Sequence, residues 1–223
     1  MSRTLAVRNL GVVPYADALA LQRQLAEERI AGRIPDTLLL LEHPSVITLG
    51  RGTKATSLPL DADALRRRGI EVFEIERGGD VTYHGPGQLV GYPILNLQQH
   101  KSDLHWYLRQ IEETLIVALA GFGIVAGRNS GYTGVWTQGR KIASIGIHVR
   151  QWVTWHGFAL NVTTELSPFS LIVPCGIPDV VMTSVERELA DEATRSVGAD
   201  LPARVRDAVV RSFALVFGLT ADS

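Results

Sequence analysis

The spacing of apolar and polar residues predicts short strands interleaved with amphipathic helices. Apolar runs at 5–10 and 37–49 are typical of strands, and between them residues 17–31 place apolar side chains at helical spacing. Further helices are predicted at 61–68, 102–120 and 203–217. Further strands are predicted at 70–75, 89–97, 122–126, 131–137, 140–150, 152–162 and 180–186. Because strands and helices mix without a regular βαβ alternation, we expect one α+β domain over residues 1–223.

Composition narrows the classes of function. The chain is 46% hydrophobic and 20% charged with a formal net charge of −1, which gives no field strong enough to hold a phosphate backbone or an anionic membrane. The N-terminus lacks the pattern of a signal peptide, and the longest apolar run, 115–127, is too short to span a bilayer. A single cysteine, Cys175, allows neither an internal disulfide nor a zinc ribbon. We therefore expect a cytoplasmic protein with no metal and no nucleic-acid or membrane partner.

Two glycine patterns do not predict nucleotide binding. Residues 50–54 lack the spacing of a phosphate-binding loop, whose lysine directly precedes a serine or threonine. Residues 121–126 match a dinucleotide fingerprint in letters, but they follow a helix and enter a predicted strand, which is the reverse of the required context. Both patterns are therefore set aside.

A third glycine pattern, residues 77–88, lies between two predicted strands and combines glycines with Arg77, Tyr83 and His84. Paired glycines let backbone N–H groups approach a ligand closely, and the polar side chains can add directed contacts. The alternative is a long turn whose glycines supply only positive φ angles. The composition alone leaves both interpretations open.

The segment 172–178 contains two prolines and a glycine around Cys175, so it is predicted to be irregular and stiff. Cys175 is either a small buried apolar residue or a nucleophile, and the second role requires a neighbour that stabilises the thiolate. The candidate neighbours are Lys141, His84, His148 and His156.

Lys141 has the most suggestive placement of these four. It leads the face of predicted strand 140–150 that also carries Ala143, Ile145, Ile147 and Val149. Such a lysine either reaches solvent at the end of the strand or enters a half-buried cleft. In a cleft, a thiolate neighbour favours the charged form of the lysine that burial disfavours, and the pair supplies a nucleophile and a proton-transfer group. The sequence alone does not place Lys141 near Cys175.

Several motifs follow one another in an order that resembles a known family. They are residues 41–52, the loop 77–88, the strand 140–146, the segment 156–161, and 174–176 followed by Thr183-Ser184. Together they closely resemble the octanoyl-acyl-carrier-protein:protein N-octanoyltransferases, the lipoate-protein ligase B family. The resemblance runs from about residue 37 to residue 187.

The resemblance implies mixed β-sheets flanked by helices, as in the catalytic domain of biotin and lipoate ligases. It implies that Cys175 forms an acyl-thioester intermediate and that Lys141 tunes the cysteine and transfers protons. It also implies that the substrate site is lined by Arg77, Gly78, Gly79, Asp80, Val81, Thr82, Tyr83, His84, Ser144, Ile145, Gly146, Gly157, Phe158 and Ala159.

The same resemblance implies the partners. The donor would be octanoyl-acyl carrier protein, and the acceptors would be lipoyl domains of 2-oxoacid dehydrogenase complexes and the glycine cleavage H protein. Exchange of one thioester for another is nearly neutral in free energy and the final amide is downhill, so no ATP or other cofactor is expected. Because carrier proteins and lipoyl domains are typically acidic, docking is expected to use Arg51, Lys54, Arg140 or Arg150.

Three other functions are weighed against this one. An ATP-dependent lipoate or biotin ligase would share the fold but would activate a free acid and need no nucleophilic cysteine. A cysteine hydrolase would admit water to the acyl-enzyme. A carrier-binding module without catalysis would leave Cys175 with a structural role only. The motif 174–176 favours acyl transfer.

Overall fold

A computed structural model describes residues 3–190 and 200–222 of the chain. The helices are α1 (Tyr15–Ile30), α2 (Ala62–Arg66), α3 (Leu104–Ala120), α4 (Val185–Ala190) and α5 (Leu201–Phe217). The strands are β1 (Arg3–Val12), β2 (Asp36–Glu42), β3 (Val46–Leu49), β4 (Glu71–Glu74), β5 (Val81–His84), β6 (Gln88–Ile94), β7 (Gly127–Asn129), β8 (Tyr132–Thr137), β9 (Arg140–Arg150), β10 (Val153–Asn161) and β11 (Leu219–Asp222). Short 3₁₀ turns include one at Pro174–Gly176.

The strands form two sheets. The larger sheet has eight strands in the order β11-β1-β2-β6-β10-β9-β8-β7, and the smaller has three in the order β4-β3-β5. β1 pairs in parallel with both β2 and β11, whereas the chain from β2 through β6, β10, β9 and β8 to β7 pairs antiparallel. In the small sheet β3 pairs parallel with β4 and antiparallel with β5. The predicted α+β class with mixed sheets is confirmed.

The apolar run of β2 shows why helices cover both faces of the large sheet. Leu38 and Leu40 pack in a core with α3 and α5, whereas Leu39 and Leu41 pack in a second core with α1. Alternate residues of a strand point to opposite faces, so an uninterrupted apolar run requires cover on both sides. Tyr15 and Leu19 of α1 also pack in a cluster with Val46 of the small sheet.

Two predicted strands are wrong. Residues 122–126 form a turn and a loop, because the N–H groups of Phe122, Gly123 and Ile124 bond back to carbonyls at the end of α3, and the strand begins only at Gly127. In segment 180–186 only Met182 forms a bridge, to Lys141, and α4 follows at once. That helix is missed by the apolar pattern.

Two further strands are absent from the sequence prediction. The segment 77–88 is not a continuous loop, since β5 forms within it and pairs with β3. The short β11 adds to the edge of the large sheet beside β1. Within residues 3–190 and 200–222, no helix combines the length and the apolar character that crossing a bilayer requires.

Candidate active site

A cavity of about 190 Å³ lies between the small sheet, β9 and β10 and the turn that carries Cys175. Its walls combine apolar side chains with polar groups that face one another across the space. The lining residues are Tyr15, Arg77, Gly79, Asp80, Thr82, His84, Tyr92, Gly131, Tyr132, Thr133, Lys141, Ser144, Ile145, Gly146, His156, Gly157, Phe158, Ala159, Cys175 and Ile177.

Cys175 occupies a strained backbone position at this cavity. Its φ and ψ are 58° and 19°, in the left-handed region that residues with a side chain rarely adopt. Such strain is concentrated at functional sites, where the surrounding structure enforces it. The thiol is half-buried, and its Sγ lies 3.1 Å from Lys141 Nζ and 3.8 Å from the hydroxyl oxygen of Ser144.

Lys141 is fully buried, and the chain after Cys175 holds it in place. β10 ends its pairing with β9 at Ala143, so the edge of β9 at Lys141 is open to another partner. The segment 181–183 fills this edge: Lys141 N–H donates to Val181 O at 2.8 Å, and Thr183 N–H donates to Lys141 O at 2.9 Å. These bonds connect the Cys175 segment to the lysine, which is why residues distant in sequence meet here.

The amine of Lys141 lies close to an aromatic ring and to the cysteine sulfur. Its Nζ lies 5.3 Å from the centre of the Trp136 ring and 3.1 Å from the Cys175 sulfur. A buried ammonium is costly unless an anion or an aromatic face compensates for the lost water. A thiolate at Cys175 is the compensating anion that this geometry provides.

Asp80 packs against the turn that carries Cys175 and is linked to it through Ser57. Its carboxylate accepts a 2.7 Å hydrogen bond from the Ser57 hydroxyl, and the Ser57 carbonyl accepts one from Val173 N–H at 2.9 Å. A Cβ at Gly176 would lie 2.4 Å from the Asp80 carboxylate, and the φ of Gly176 is 64°. Only glycine therefore fits beside Cys175 in this turn.

Arg77 fixes the glycine-rich segment rather than projecting freely into the cavity. Its buried guanidinium donates to the carbonyl and the hydroxyl of Thr48, at 2.7 and 2.9 Å from Nη2. Burial lowers the pKa of Arg77. Backbone bonds from Arg51 N–H to Arg77 O and from Gly52 N–H to Gly79 O tie residues 50–52 to the same segment. These bonds give the end of the motif 41–52 a structural role beside the glycine-rich segment.

The predicted site residues of β5 lie on two opposite faces of the strand, and only one of these faces the cavity. Thr82 and His84 face the cavity, whereas Val81 and Tyr83 point the other way and pack in the core of the small sheet. Gly78 also does not line the cavity; its N–H donates to Ile147 O. The other predicted substrate residues all line the cavity together with Cys175 and Lys141.

Each of the three histidine candidates for activating Cys175 either has another hydrogen-bond partner or has a pKa that burial lowers well below its usual value. His84 Nδ1 lies 2.8 Å from the amide oxygen of Gln88, and burial lowers its pKa to about 3. Burial likewise lowers the pKa of His156 to about 3. His148 donates to the Glu76 carbonyl and does not line the cavity. Among the described residues, the side chains within hydrogen-bonding distance of the sulfur are Lys141 and Ser144.

Several cavity residues were missed from the sequence. Tyr15 lies in the first turn of α1 and Tyr92 in a strand buried along its whole length, so both look like ordinary core residues. His156 was considered only as a partner for Cys175, whereas its positive φ of 55° sets it apart in the structure. Gly131 lies in the turn between β7 and β8, Tyr132 and Thr133 begin β8, and no signal in the sequence identified these three residues.

Buried histidines are expected to make the fold acid-sensitive. Burial lowers the pKa of His43 to about 4 and those of His84 and His156 to about 3, from 6.5. Between those values and pH 6.5 the unfolded chain binds protons that the folded protein excludes, so the free energy of unfolding falls as the pH falls. We expect a loss of about 2 kcal/mol per histidine between pH 7 and pH 5.

Urea unfolding at the two pH values measures this loss. His43→Asn is expected to flatten the pH dependence, whereas His105→Asn, at an exposed position on α3, leaves it unchanged. Equal stability of the unmodified protein at pH 7 and pH 5 contradicts the assignment of neutral buried histidines.

Known proteins are similar to this chain over most of its length. Residues 14–213 match the family described as lipoyl protein ligase A/B catalytic domain. An octanoyltransferase of Acidobacterium capsulatum is 48% identical, covering 94% of this chain and 87% of the relative. An octanoyltransferase of Rubrobacter xylanophilus is 54% identical, covering 84% of this chain and 86% of the relative.

Solved structures share the fold at lower sequence identity. A bi-partite lipoate protein ligase from Thermoplasma acidophilum superposes with a TM-score of 0.71 at 18% identity, covering 100% of this chain and 86% of that one. A lipoate-protein ligase A bound with ATP superposes with a TM-score of 0.68 at 17% identity, covering 100% and 90%. Identities this low relate the folds only.

Proposed function

The chain belongs to the lipoyl protein ligase A/B catalytic-domain family, and from this premise we propose how it acts as an octanoyltransferase. It takes the octanoyl group of octanoyl-acyl carrier protein onto Cys175 as a thioester and passes it to a lysine amine of a lipoyl domain. The residues 1–223 act as one catalytic domain. The observation that carries the proposal is the 3.1 Å contact between Lys141 Nζ and Cys175 Sγ at the wall of a cavity.

The first half of the reaction needs a thiolate and a proton donor. The Cys175 thiolate attacks the thioester carbonyl of the donor, and the carrier thiol leaves with a proton from the Lys141 ammonium. One carbon–sulfur bond forms as another breaks, so the acyl group remains activated. Lys141 is left as a neutral amine, which suits a buried site once the thiolate has been consumed.

The second half uses the neutral Lys141 as a base. The acceptor lysine amine attacks the acyl-Cys175 carbonyl, its proton passes to Lys141, and Cys175 leaves as a thiolate. The thiolate–ammonium pair is thereby restored and an amide is formed. A single buried lysine therefore serves as acid in one half-reaction and as base in the other.

The cavity walls provide binding for the acyl chain and the reacting carbonyl. Ile145, Phe158 and Ala159 supply apolar contacts, and each methylene buried there contributes about 0.8 kcal/mol. Because Gly78 N–H is bonded to Ile147 O, we assign oxyanion stabilisation to the Ser144 hydroxyl and to the backbone of Gly79 instead. One such donor contributes about 3 kcal/mol to the transition state.

One assay separates this proposal from its rivals. Octanoyl carrier protein and an unmodified lipoyl domain are supplied without nucleotide, and octanoyl-lysine on the domain is detected by mass spectrometry. We expect product under these conditions. Product that appears only with free octanoate and ATP supports a ligase instead, and release of free octanoate without an acceptor supports a hydrolase.

The proposed docking surface for the acidic partners is narrower than the sequence suggested. Arg140 donates to Glu188, and Arg150 is paired with Glu27, so both are already engaged within the protein. Arg51 and Lys54 are exposed and follow β3, next to the segment that carries Arg77. We therefore assign carrier docking to Arg51 and Lys54.

Reversing both charges is expected to weaken carrier binding. The double change Arg51→Glu and Lys54→Glu should raise KM for octanoyl carrier protein about tenfold at low salt, since each exposed pairing contributes about 0.5 to 1 kcal/mol. The effect should shrink at high salt because exposed charges are screened. Arg211→Glu, exposed on α5, is the matched control and should leave KM unchanged. An unchanged KM for the double variant refutes this surface.

A further inference from the structure

The side chain of Lys141 packs directly against a glycine of the neighbouring strand. A Cβ built on Gly134 would lie 2.9 Å from Lys141 Cε and 3.4 Å from Lys141 Nζ. The same atom would lie 2.7 Å from the carbonyl oxygen of Ala143, which belongs to the backbone and cannot swing away. The lysine therefore occupies space that a side chain at position 134 would need.

The backbone at Gly134 adopts a conformation that glycine permits and other residues rarely adopt. Its φ is 138°, and the register between β8 and β9 shifts immediately afterwards, between Val135 and Trp136. At this irregularity the Gly134 backbone lies against the Lys141 side chain, and the centre of the Trp136 ring lies 5.3 Å from Lys141 Nζ. Bulges of this kind re-aim side chains near active sites.

A buried carboxylate on α3 holds this irregularity. Glu112 is fully buried, and its Oε1 accepts a 3.2 Å hydrogen bond from Gly134 N–H. Its Oε2 accepts from Arg109 at 2.6 Å and from Arg128 at 3.0 Å. The two arginines compensate the buried charge, so the carboxylate is fixed at one point between α3 and β8. Glutamate is rarely buried completely, so a buried glutamate that accepts from a backbone N–H of another element indicates a specific role.

From these contacts we infer that Gly134 and Glu112 are positioning residues that hold the Lys141 ammonium against the Cys175 sulfur. Gly134 keeps open the channel for the lysine side chain, and Glu112 fixes the backbone of that channel through the Gly134 N–H. Neither residue lines the cavity. The inference rests on the proposed role of Lys141 in activating Cys175, and it adds two residues that act through that lysine.

The reactivity of the thiol tests this inference. Because Cys175 is the only cysteine of the chain, the rate of alkylation by iodoacetamide reports on this sulfur alone. Gly134→Ala is expected to slow alkylation at pH 7 about tenfold, since it pushes the ammonium away from the thiolate that it stabilises. In a Lys141→Ala background the same change should slow alkylation less than about twofold, because the crowded lysine is gone.

Two controls separate positioning from general damage to the fold. Gly127 lies in β7, the strand that pairs with β8, and a Cβ there would meet no atom within 4 Å. In Gly127→Ala, Cys175 should therefore be alkylated as fast as in the protein without substitutions. Glu112→Gln keeps an oxygen that can accept from the Gly134 N–H, so Cys175 should be alkylated at nearly the full rate. Glu112→Met has no such oxygen, and alkylation should slow about tenfold, as expected for Gly134→Ala. If Gly134→Ala does not fold, the Glu112 pair decides the question.

The outcomes distinguish this inference from the function on which it rests. Suppose that Gly134→Ala and Glu112→Met are alkylated as fast as the protein without substitutions, whereas Lys141→Ala is alkylated slowly. This result overturns the positioning role and leaves the proposed function intact. If Lys141→Ala itself is alkylated as fast as the protein without substitutions, the role of Lys141 is overturned. Equal slowing by Gly134→Ala with and without Lys141 assigns the effect to the fold and also overturns the inference.

Discussion

Cys175→Ala is expected to reduce octanoyl transfer on the order of 10⁴-fold or more, the range seen when a catalytic nucleophile is removed. The account gives the sulfur a covalent role, and no other cysteine can replace it. Alanine keeps the Cβ, so the left-handed turn at this position is not additionally strained. Single-turnover transfer from octanoyl carrier protein to a lipoyl domain measures the loss.

A matched thermal melt gives the control for this variant. The cysteine is only half-buried, so its truncation should change the melting temperature little. Transfer within about tenfold of the unmodified rate contradicts a thioester intermediate. A lost activity accompanied by a large fall in melting temperature assigns the sulfur a structural role instead.

Lys141→Ala is expected to lower kcat by about 10²- to 10⁴-fold, the usual contribution of a positioned acid–base group. Two steps are affected, because the same amine protonates the departing carrier thiol and accepts the proton of the attacking amine. Alkylation of Cys175 at pH 7 should slow as well, since the ammonium 3.1 Å from the sulfur is gone.

A second substitution checks that the effect is chemical. Lys141 is fully buried, so alanine leaves a cavity, whereas Lys141→Met fills most of it without a charge. Lys141→Met should restore the melting temperature and leave kcat as low as in Lys141→Ala. If alkylation is unchanged in both variants and His84→Ala slows it instead, the base is His84.

Much of the scaffold could be predicted from the sequence because its elements are locally consistent. The long helices α3 and α5 carry clear apolar faces, and Asp103 caps α3 by accepting a hydrogen bond from Trp106 N–H. Helix α1 has a weaker apolar pattern, with Ala18, Leu25 and Ala26 buried beside the polar Gln22. The strand β2 and the hairpin of β9 and β10 are long and rich in apolar residues. Elements of this kind are decided by their own residues.

The elements that the sequence did not predict depend on strand pairing with distant residues or on one helix-capping hydrogen bond. β5 is four residues within a glycine-rich segment and exists because β3 offers it a pairing edge. The Ser184 hydroxyl accepts from Arg187 N–H and opens α4 where an apolar run suggested a strand. Tertiary pairing and capping override the local pattern at both places.

Many of the residues that line the cavity could be named from the sequence, but their arrangement could not. Lys141 and Cys175 are 34 residues apart, and nothing in their spacing shows that the segment 181–183 would pair with the edge of β9. The residues facing the cavity from β5 follow the alternation of a strand that had not been predicted. Gly134 and Glu112 carry no motif, because their effect depends on atoms of Lys141 that only the structure brings near.

The central claim is that Cys175 carries the acyl group, and intact-mass measurement tests it most directly. The protein is mixed with octanoyl carrier protein, without nucleotide and without an acceptor, and its mass is recorded before and after hydroxylamine. We predict that one octanoyl group is added at Cys175, that hydroxylamine removes it, and that a lipoyl domain removes it as octanoyl-lysine forms. An unchanged mass in this mixture, from a preparation that does produce octanoyl-lysine once a lipoyl domain is added, contradicts the account.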